Sequence, residues 1–157
     1  MNALQRAGLG AAFGSAALLG AALAFQHLGG LAPCPMCIWQ RWPHVIAVLL
    51  GLALLALPRR DLAAMGALVM LIGAGLGAWH AGIERGWWPG PDTCTAPDVA
   101  SLTPEQLLER ILTAPVVRCD EVAWSLLGVS MAGWNAVACV GLAVLWLRAY
   151  ASSSASQ

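Results

Sequence analysis

Charge is the scarcest property of this chain. Of its 157 residues only 10% are charged, lysine is absent, and 59% are hydrophobic. This composition leaves too few polar residues to cover a water-soluble surface, so most of the surface is expected to face lipid. The formal net charge is zero, which gives no indication of a nucleic-acid partner. The sequence therefore predicts an integral membrane protein.

Four apolar segments are long enough to form membrane-spanning helices. Crossing the hydrocarbon core takes about 20 apolar residues, and the second segment meets this length only if it extends back to about Arg41. We predict an all-α bundle of four transmembrane helices within one domain, residues 1–150, and a disordered tail, residues 151–157. The predicted spans are 7–25, 41–57, 62–83 and 126–147.

The first segment could instead be a cleaved signal peptide, because Arg6 precedes an apolar stretch that ends among small residues. Its apolar run is longer than the roughly 7 to 15 residues usual for a signal core. The loops 26–40 and 84–125 are separated by the second and third spans with or without this segment, so they lie on one side of the membrane. Those two loops hold four of the five cysteines, Cys34, Cys37, Cys94 and Cys119. We therefore expect four spans, with both cysteine-bearing loops on one face.

Arginine alone sets the predicted orientation, since cytoplasmic loops carry an excess of positive residues. On the side opposite the cysteines only Asp61 is acidic, against four arginines, Arg6, Arg59, Arg60 and Arg148. The cysteine side has four arginines and seven acids. Both termini are therefore predicted to be cytoplasmic. The cysteines then face outward, where disulfides persist.

The longer outward loop contains one predicted helix. Thr103, Pro104 and Gln106 match an N-cap, a first-turn proline and a capping-box partner. Leucine and isoleucine repeat at helical spacing over residues 107–112, with charged residues elsewhere. This pattern predicts a short interfacial helix lying flat on the membrane. An apolar stripe packed against the bundle would give the same pattern.

Cys34 and Cys37 form a Cys-Pro-Met-Cys pair where the second span begins. The positive end of a helix favours a thiolate at Cys37, and Arg41, four residues later on the same face, could stabilise it further. The alternatives are an arginine that only snorkels to lipid phosphate and cysteines that bind a metal or form an inert bridge. A zinc site would prefer a second closely spaced pair, so we predict no metal.

Cys94 and Cys119 are 25 positions apart in the longer loop. A lone pair in an exported loop is usually structural. Beside a second pair, however, thiolate attack through a mixed disulfide lets two pairs pass electrons in series. We therefore predict exchange, provided that the loops approach one another. Cys139 lies within the fourth span and is predicted to be a buried packing residue.

Three segments resemble the bacterial DsbB disulfide bond formation family. They are GLAPCPMCIWQRWPH at 30–44, ERGWWPGPDTC at 84–94 and PVVRCDEVAWSLLGVSMAGWN at 115–135. The order of the cysteines is the most specific element of the resemblance. The CxxC precedes the separated pair here, whereas vitamin K epoxide reductase-like proteins place their CxxC last.

The resemblance implies an inner-membrane, quinone-dependent protein-disulfide oxidoreductase. Such an enzyme reoxidises a periplasmic DsbA-type thioredoxin-fold oxidase and passes the electrons to ubiquinone or menaquinone. Matched motif by motif, Cys37 takes the quinone-proximal place, Cys34 is its partner, and Arg41 takes the place of the quinone-site arginine. Cys94 would form the mixed disulfide with the oxidase, and Cys119, its loop partner, would pair transiently with Cys34.

His80 matches no position of the family pattern. It is an ionisable residue near the outer end of the third span, and such residues mark functional sites by default. We expect it to contact a quinone carbonyl, although a packing or hydrogen-bonded histidine would explain it as well. Asn135, in the fourth span, is predicted to hydrogen-bond between helices.

Two other functions remain open on the sequence alone. The chain could be a quinone and thiol oxidoreductase of the epoxide-reductase type, which the cysteine order disfavours. It could also be a structural membrane protein with two inert disulfides.

Overall fold

The computed structural model describes residues 1–91, 103–113 and 117–152. Four of its helices are long and apolar enough to cross a membrane, which confirms the predicted four-helix membrane bundle. Along the chain the elements are α1 (Ala3–His27), α2 (Pro35–Ala56), α3 (Arg60–Glu84), α4 (Pro104–Thr113), β1 (Ser125–Leu126), β2 (Val129–Ser130) and α5 (Met131–Ser152).

Two of the spanning helices begin before the apolar runs that predict them. Asn2 caps α1 and forms a capping box with Gln5, so the helix starts at Ala3 rather than at residue 7. Helix α2 starts at Pro35 rather than at 41, because Cys34 serves as its N-cap and proline suits the first turn. Both ends show that capping groups, which hydropathy does not register, decide where a helix begins.

The fourth spanning helix, by contrast, begins later than predicted. The sequence predicts helix from residue 126, but β1 and β2 form an antiparallel hairpin there, and α5 starts at Met131. Leu127 and Gly128 have φ angles of 53° and 75°, which a two-residue hairpin turn requires. At its other end α5 continues to Ser152, so residues 151 and 152 are helical. Residues 153–157 of the predicted tail lie outside the described residues.

The spanning helices close into a ring in which α1 packs on α2, α2 on α3, α3 on α5 and α5 on α1. We call the end with the first residue of α1 and the last of α5 the termini end, and the opposite one the loop end. At the termini end the fully buried ring of Trp146 lies against Gly66, where a side chain would collide with it. Large apolar side chains on the outside remain exposed, as lipid contact requires, among them Phe13, Leu49, Leu52, Leu68 and Val137.

Helix α4 is present and has the predicted capping box. The backbone N–H of Gln106 donates to Thr103 Oγ1 over 3.4 Å, and the N–H of Thr103 donates to Gln106 Oε1 over 3.0 Å. Leu108 and Leu112 are 59% and 77% exposed, so these two side chains do not pack into the bundle. That α4 lies flat on the membrane surface stays a prediction.

Candidate active site

The CxxC pair sits at the N-terminus of α2, at the loop end of the bundle. Cys34 is buried and Cys37 is half-buried, and both are free thiols. Cys34 Sγ accepts a hydrogen bond from the N–H of Cys37 over 3.2 Å and donates one to Cys37 Sγ over 3.0 Å. That donation, with burial adding to it, raises the pKa of Cys34 well above its ordinary value. The proton is therefore held on Cys34, and Cys37 is the sulfur that accepts.

Cys119 meets the CxxC pair although it is 82 positions beyond Cys37 in the sequence. It is fully buried and disulfide-bonded. It belongs to one cluster with Cys34, Met36 and Ile83, against which Cys37 packs. The required approach of the two loops is thus present in the structure. Cys94, the other predicted loop cysteine, lies outside the described residues.

A cavity of about 280 Å³ opens beside the two thiols. Apolar side chains of α1 form much of its wall, including Leu18, Leu19 and Phe25, while Cys37 and Arg41 line its polar part. Arg41 Nη1 donates to Gln26 Oε1 of α1 over 2.8 Å. The guanidinium is therefore held at the cavity by a neighbouring helix as well as by its own.

His80 contacts the thiols, which the sequence did not predict. It is 3% exposed, its Nε2 lies 3.7 Å from Cys34 Sγ, and its ring lies beside the backbone of Cys119. His80 therefore lies between the CxxC and the loop cysteine. The predicted contact of His80 with a quinone carbonyl stays a prediction.

Three polar residues behind His80 form a chain across α2 and α5. Gln40 Nε2 is 2.8 Å from His80 Nδ1, Asn135 Nδ2 donates to Gln40 Oε1 over 2.9 Å, and His44 Nε2 is 3.0 Å from Asn135 Oδ1. The predicted interhelical hydrogen bonding of Asn135 is thus confirmed. Cys139 is fully buried in the core, as a packing residue is, and its Sγ lies 3.5 Å from His44 Nε2 at the end of this polar chain.

Glu84 is a site residue that sequence reasoning missed. It lies one turn after His80, with Oε1 4.0 Å from His80 Nε2, and its side chain is 6% exposed. Its carboxyl group lies near the side chain of Ser130, while its Oε2 has no partner among the described residues. The i, i+4 spacing of two ionisable residues at a span end was the available signal.

Cys34, Cys37 and His80 also place their donor atoms within 4.8 Å of one another, close enough to hold a metal ion. A metal-bound histidine usually donates its other ring N–H to an acceptor. Here that other nitrogen, Nδ1, faces the amide NH₂ of Gln40, which is a donor. The surroundings of His80 therefore suit a contact with sulfur better than a metal ion.

The chain matches known proteins over most of its length. A sequence model described as "Disulfide bond formation protein DsbB" matches residues 5–149. Among curated relatives named disulfide bond formation protein B, that of Polaromonas naphthalenivorans (strain CJ2) is 36% identical over 154 residues, covering 88% of this chain and 87% of the relative. That of Stutzerimonas stutzeri (strain A1501) is 30% identical over 149 residues, covering 85% and 86%.

A third relative of the same name, from Verminephrobacter eiseniae (strain EF01-2), is 34% identical over 151 residues and covers 90% of this chain and 84% of its own. No solved structure matches the chain. The family match includes both the CxxC and the loop that carries Cys119. This chain therefore belongs to the DsbB family of disulfide bond formation proteins and is a multi-pass membrane protein with the role of a disulfide oxidoreductase.

Proposed function

We propose that this chain is a quinone-dependent thiol oxidase of the bacterial inner membrane. It reoxidises a periplasmic DsbA-type thioredoxin-fold oxidase by thiol–disulfide exchange and passes the electrons to membrane quinone, which sustains disulfide bond formation. The single observation that carries the proposal is the position of Cys119, a disulfide-bonded loop cysteine buried against Cys34 and Cys37. Two thiol pairs in contact can exchange electrons, whereas two distant bridges cannot.

The exchange balances as a series of two-electron steps. A thiolate of the partner oxidase attacks Cys94 in the loop disulfide, and the partner's second thiol resolves the mixed disulfide, leaving the partner oxidised and Cys94 and Cys119 reduced. The Cys119 thiolate then attacks Cys34 in the oxidised CxxC. The Cys34–Cys37 bond breaks, a Cys34–Cys119 bond forms, and Cys37 leaves as a thiolate. Attack by Cys94 on Cys119 restores the loop disulfide and releases Cys34.

The cavity beside Cys37 fits a lipid-soluble acceptor with a polar head. Its apolar wall on α1 suits a hydrophobic ring or tail, and Arg41 offers a charged donor to a carbonyl oxygen. When bound, quinone supplies a sink for two electrons and two protons. In this arrangement Cys37 holds the electron pair at the cavity and Arg41 orients the head group.

The arginine distribution supports the proposed orientation. Arg6, Arg59, Arg60 and Arg148 belong to the termini end, and the cysteines belong to the loop end. With the termini in the cytoplasm, the thiols face the periplasm, where disulfides persist. The partner oxidase then reaches the loop from the periplasm, and quinone reaches the cavity from the lipid.

The test is anaerobic reduction of added quinone by a reduced DsbA-type protein, catalysed by this chain in membranes or detergent. We expect quinol to form in proportion to the partner thiols oxidised, one quinol for each dithiol. Cys37→Ser should abolish the reaction, and Cys139→Ala, which removes a thiol from the packed core, should retain it. Thiol oxidation without quinol formation, or quinol formation by the Cys37→Ser variant, would contradict the proposal.

A further inference from the structure

The polar chain behind His80 fixes where that histidine carries its proton. Gln40 Nε2 lies 3.3 Å from the backbone carbonyl oxygen of Met36. A carbonyl oxygen only accepts hydrogen bonds, so the Gln40 atom facing it must be the NH₂ group. The same NH₂ group is 2.8 Å from His80 Nδ1. His80 Nδ1 must therefore be the unprotonated, accepting nitrogen of the ring.

The far end of the chain supports the same assignment. Gln40 Oε1 accepts from Asn135 Nδ2 over 2.9 Å, which leaves Asn135 Oδ1 to accept from His44 Nε2 over 3.0 Å. Every donor in the series meets an acceptor, and turning either amide over would place two donors or two acceptors together. Buried networks of this kind are costly when half satisfied, so the Met36 carbonyl oxygen at one end sets the orientation of both amides.

A neutral ring that accepts at Nδ1 carries its proton on Nε2. His80 Nε2 faces Cys34 Sγ at 3.7 Å and Glu84 Oε1 at 4.0 Å, and the ring lies beside the backbone of Cys119. Protonating Nδ1 as well would place an N–H donor opposite the NH₂ group of Gln40, which is also a donor. The geometry therefore holds His80 as a neutral donor rather than as an exchanging acid or base.

We propose that His80 is a catalytic residue of the exchange between the loop cysteines and the CxxC, acting through its fixed Nε2–H on the sulfur of Cys34. This rests on the proposed function for the identity of the reaction. When the Cys94 thiolate attacks Cys119, the Cys34–Cys119 bond breaks and its electron pair stays on Cys34. The Nε2–H donates to that thiolate, and the proton lost by Cys94 balances the one that Cys34 later binds. Gln40 is a positioning residue, because it acts only through the ring.

Paired substitutions at His80 distinguish hydrogen-bond donation from Nε2 from a packing role or a quinone contact. The amide nitrogen of glutamine can stand where Nε2 stands, while that of asparagine stands near Nδ1. His80→Leu and His80→Asn should slow the reduction of the CxxC by the loop pair about tenfold or more, the scale of a lost hydrogen bond to a charged group. His80→Gln should recover much of this rate. Gln40→Met should slow the same step less, because both ring tautomers then become populated.

The rate is measured in single turnovers with a reduced dithiol as donor, by acid quench and thiol alkylation, without quinone. The KM for quinone is measured separately in all four variants, because His80 and Gln40 also line the cavity. A raised KM with an unchanged exchange rate would make His80 a quinone contact and overturn the proposal. Equal exchange rates in the parent and the His80→Leu variant would reduce His80 to a packing residue and overturn it as well.

A measurement on the parent protein does not depend on whether the variants fold. In ¹H–¹⁵N correlation spectra of the histidine-labelled chain, His80 should show its proton on Nε2, and a proton on Nδ1 would overturn the proposal. Because neither this spectrum nor the single turnover contains quinone, failure of the quinone reaction would leave both results interpretable.

Discussion

At the termini end the helices meet through small residues and one large ring, whereas at the loop end they enclose sulfur, imidazole, amide and carboxylate groups. Trp146 is fully buried against Gly66 in the first region. Cys34, His80 and Gln40 are almost as deeply buried in the second, and an open cavity lies beside them. Close packing of apolar groups stabilises the bundle, while buried polar groups are tolerated at a cost that function explains. The same four helices thus divide stability and chemistry between their two ends.

The largest effect is expected from removing the cysteine that is proposed to meet the partner oxidase. Cys94→Ser should abolish electron transfer from the partner oxidase, because the loop disulfide can no longer form, while Cys34 and Cys37 still react with quinone. Trapping with a single-cysteine partner oxidase measures this directly. An undiminished mixed disulfide at another cysteine would show that Cys94 is not the partner's contact.

A break at the termini end should change stability without changing chemistry. Trp146→Ala removes the ring that fills the space above Gly66 and should cost about 3–5 kcal/mol of unfolding free energy. Trp146→Phe is the matched control, because it keeps an aromatic ring and removes an indole N–H that has no partner among the described residues. Thermal inactivation in detergent should separate the two. The KM for quinone, measured on folded protein, should match the parent value in both Trp146 variants. A raised KM would contradict the division of stability and chemistry between the two ends of the bundle.

Arg41→Met sharpens the comparison within the loop end. The methionine keeps much of the apolar stem and removes the charged donor that lines the cavity with Cys37. We expect the KM for quinone to rise about tenfold, as for the loss of a charge-assisted hydrogen bond. The fold should persist, because among the described residues the guanidinium makes a single hydrogen bond, to Gln26. A parental KM, measured in membranes with quinone varied, would make Arg41 a lipid anchor.

The smallest effect is expected at Cys139, a thiol of the packed region. It is fully buried against Gly73 in the apolar core, so Cys139→Ala should leave turnover nearly unchanged and lower thermal stability slightly. Quinol formation per folded molecule is the measurement. A clear loss of turnover at an unchanged protein level would show that Cys139 takes part in the reaction, and would contradict the confinement of the chemistry to the loop end.

Much of the fold could be predicted because it depends on short-range patterns. Apolar run lengths predict the four spans, and Thr103 with Gln106 predicts the start of α4. The hairpin at residues 125–130 was missed because its residues are as apolar as a helix end, and hydropathy does not distinguish a Leu-Gly turn from a helical one.

The site was predicted only in part for a related reason. Cys34, Cys37 and Arg41 follow one another at spacings of three and four residues at the start of one helix, so their spacing already places them together. His80 and Glu84 reach the thiols only because α3 packs on α2, and the role of Gln40 depends on Asn135, 95 positions away. Contacts between helices of this kind have no local pattern in one sequence.

Cys34 is at once the first sulfur of the redox pair and the N-cap of α2. A thiolate accepts a hydrogen bond more strongly than a neutral sulfur does. The hydrogen bond that caps the first turn of α2 is therefore strongest when Cys34 is a thiolate, and weaker when its sulfur is neutral in a thiol or a disulfide. The backbone amide of Cys37 is consequently a built-in reporter of negative charge on Cys34. Its hydrogen-exchange rate should fall while Cys34 is a thiolate, without any label on the sulfur itself.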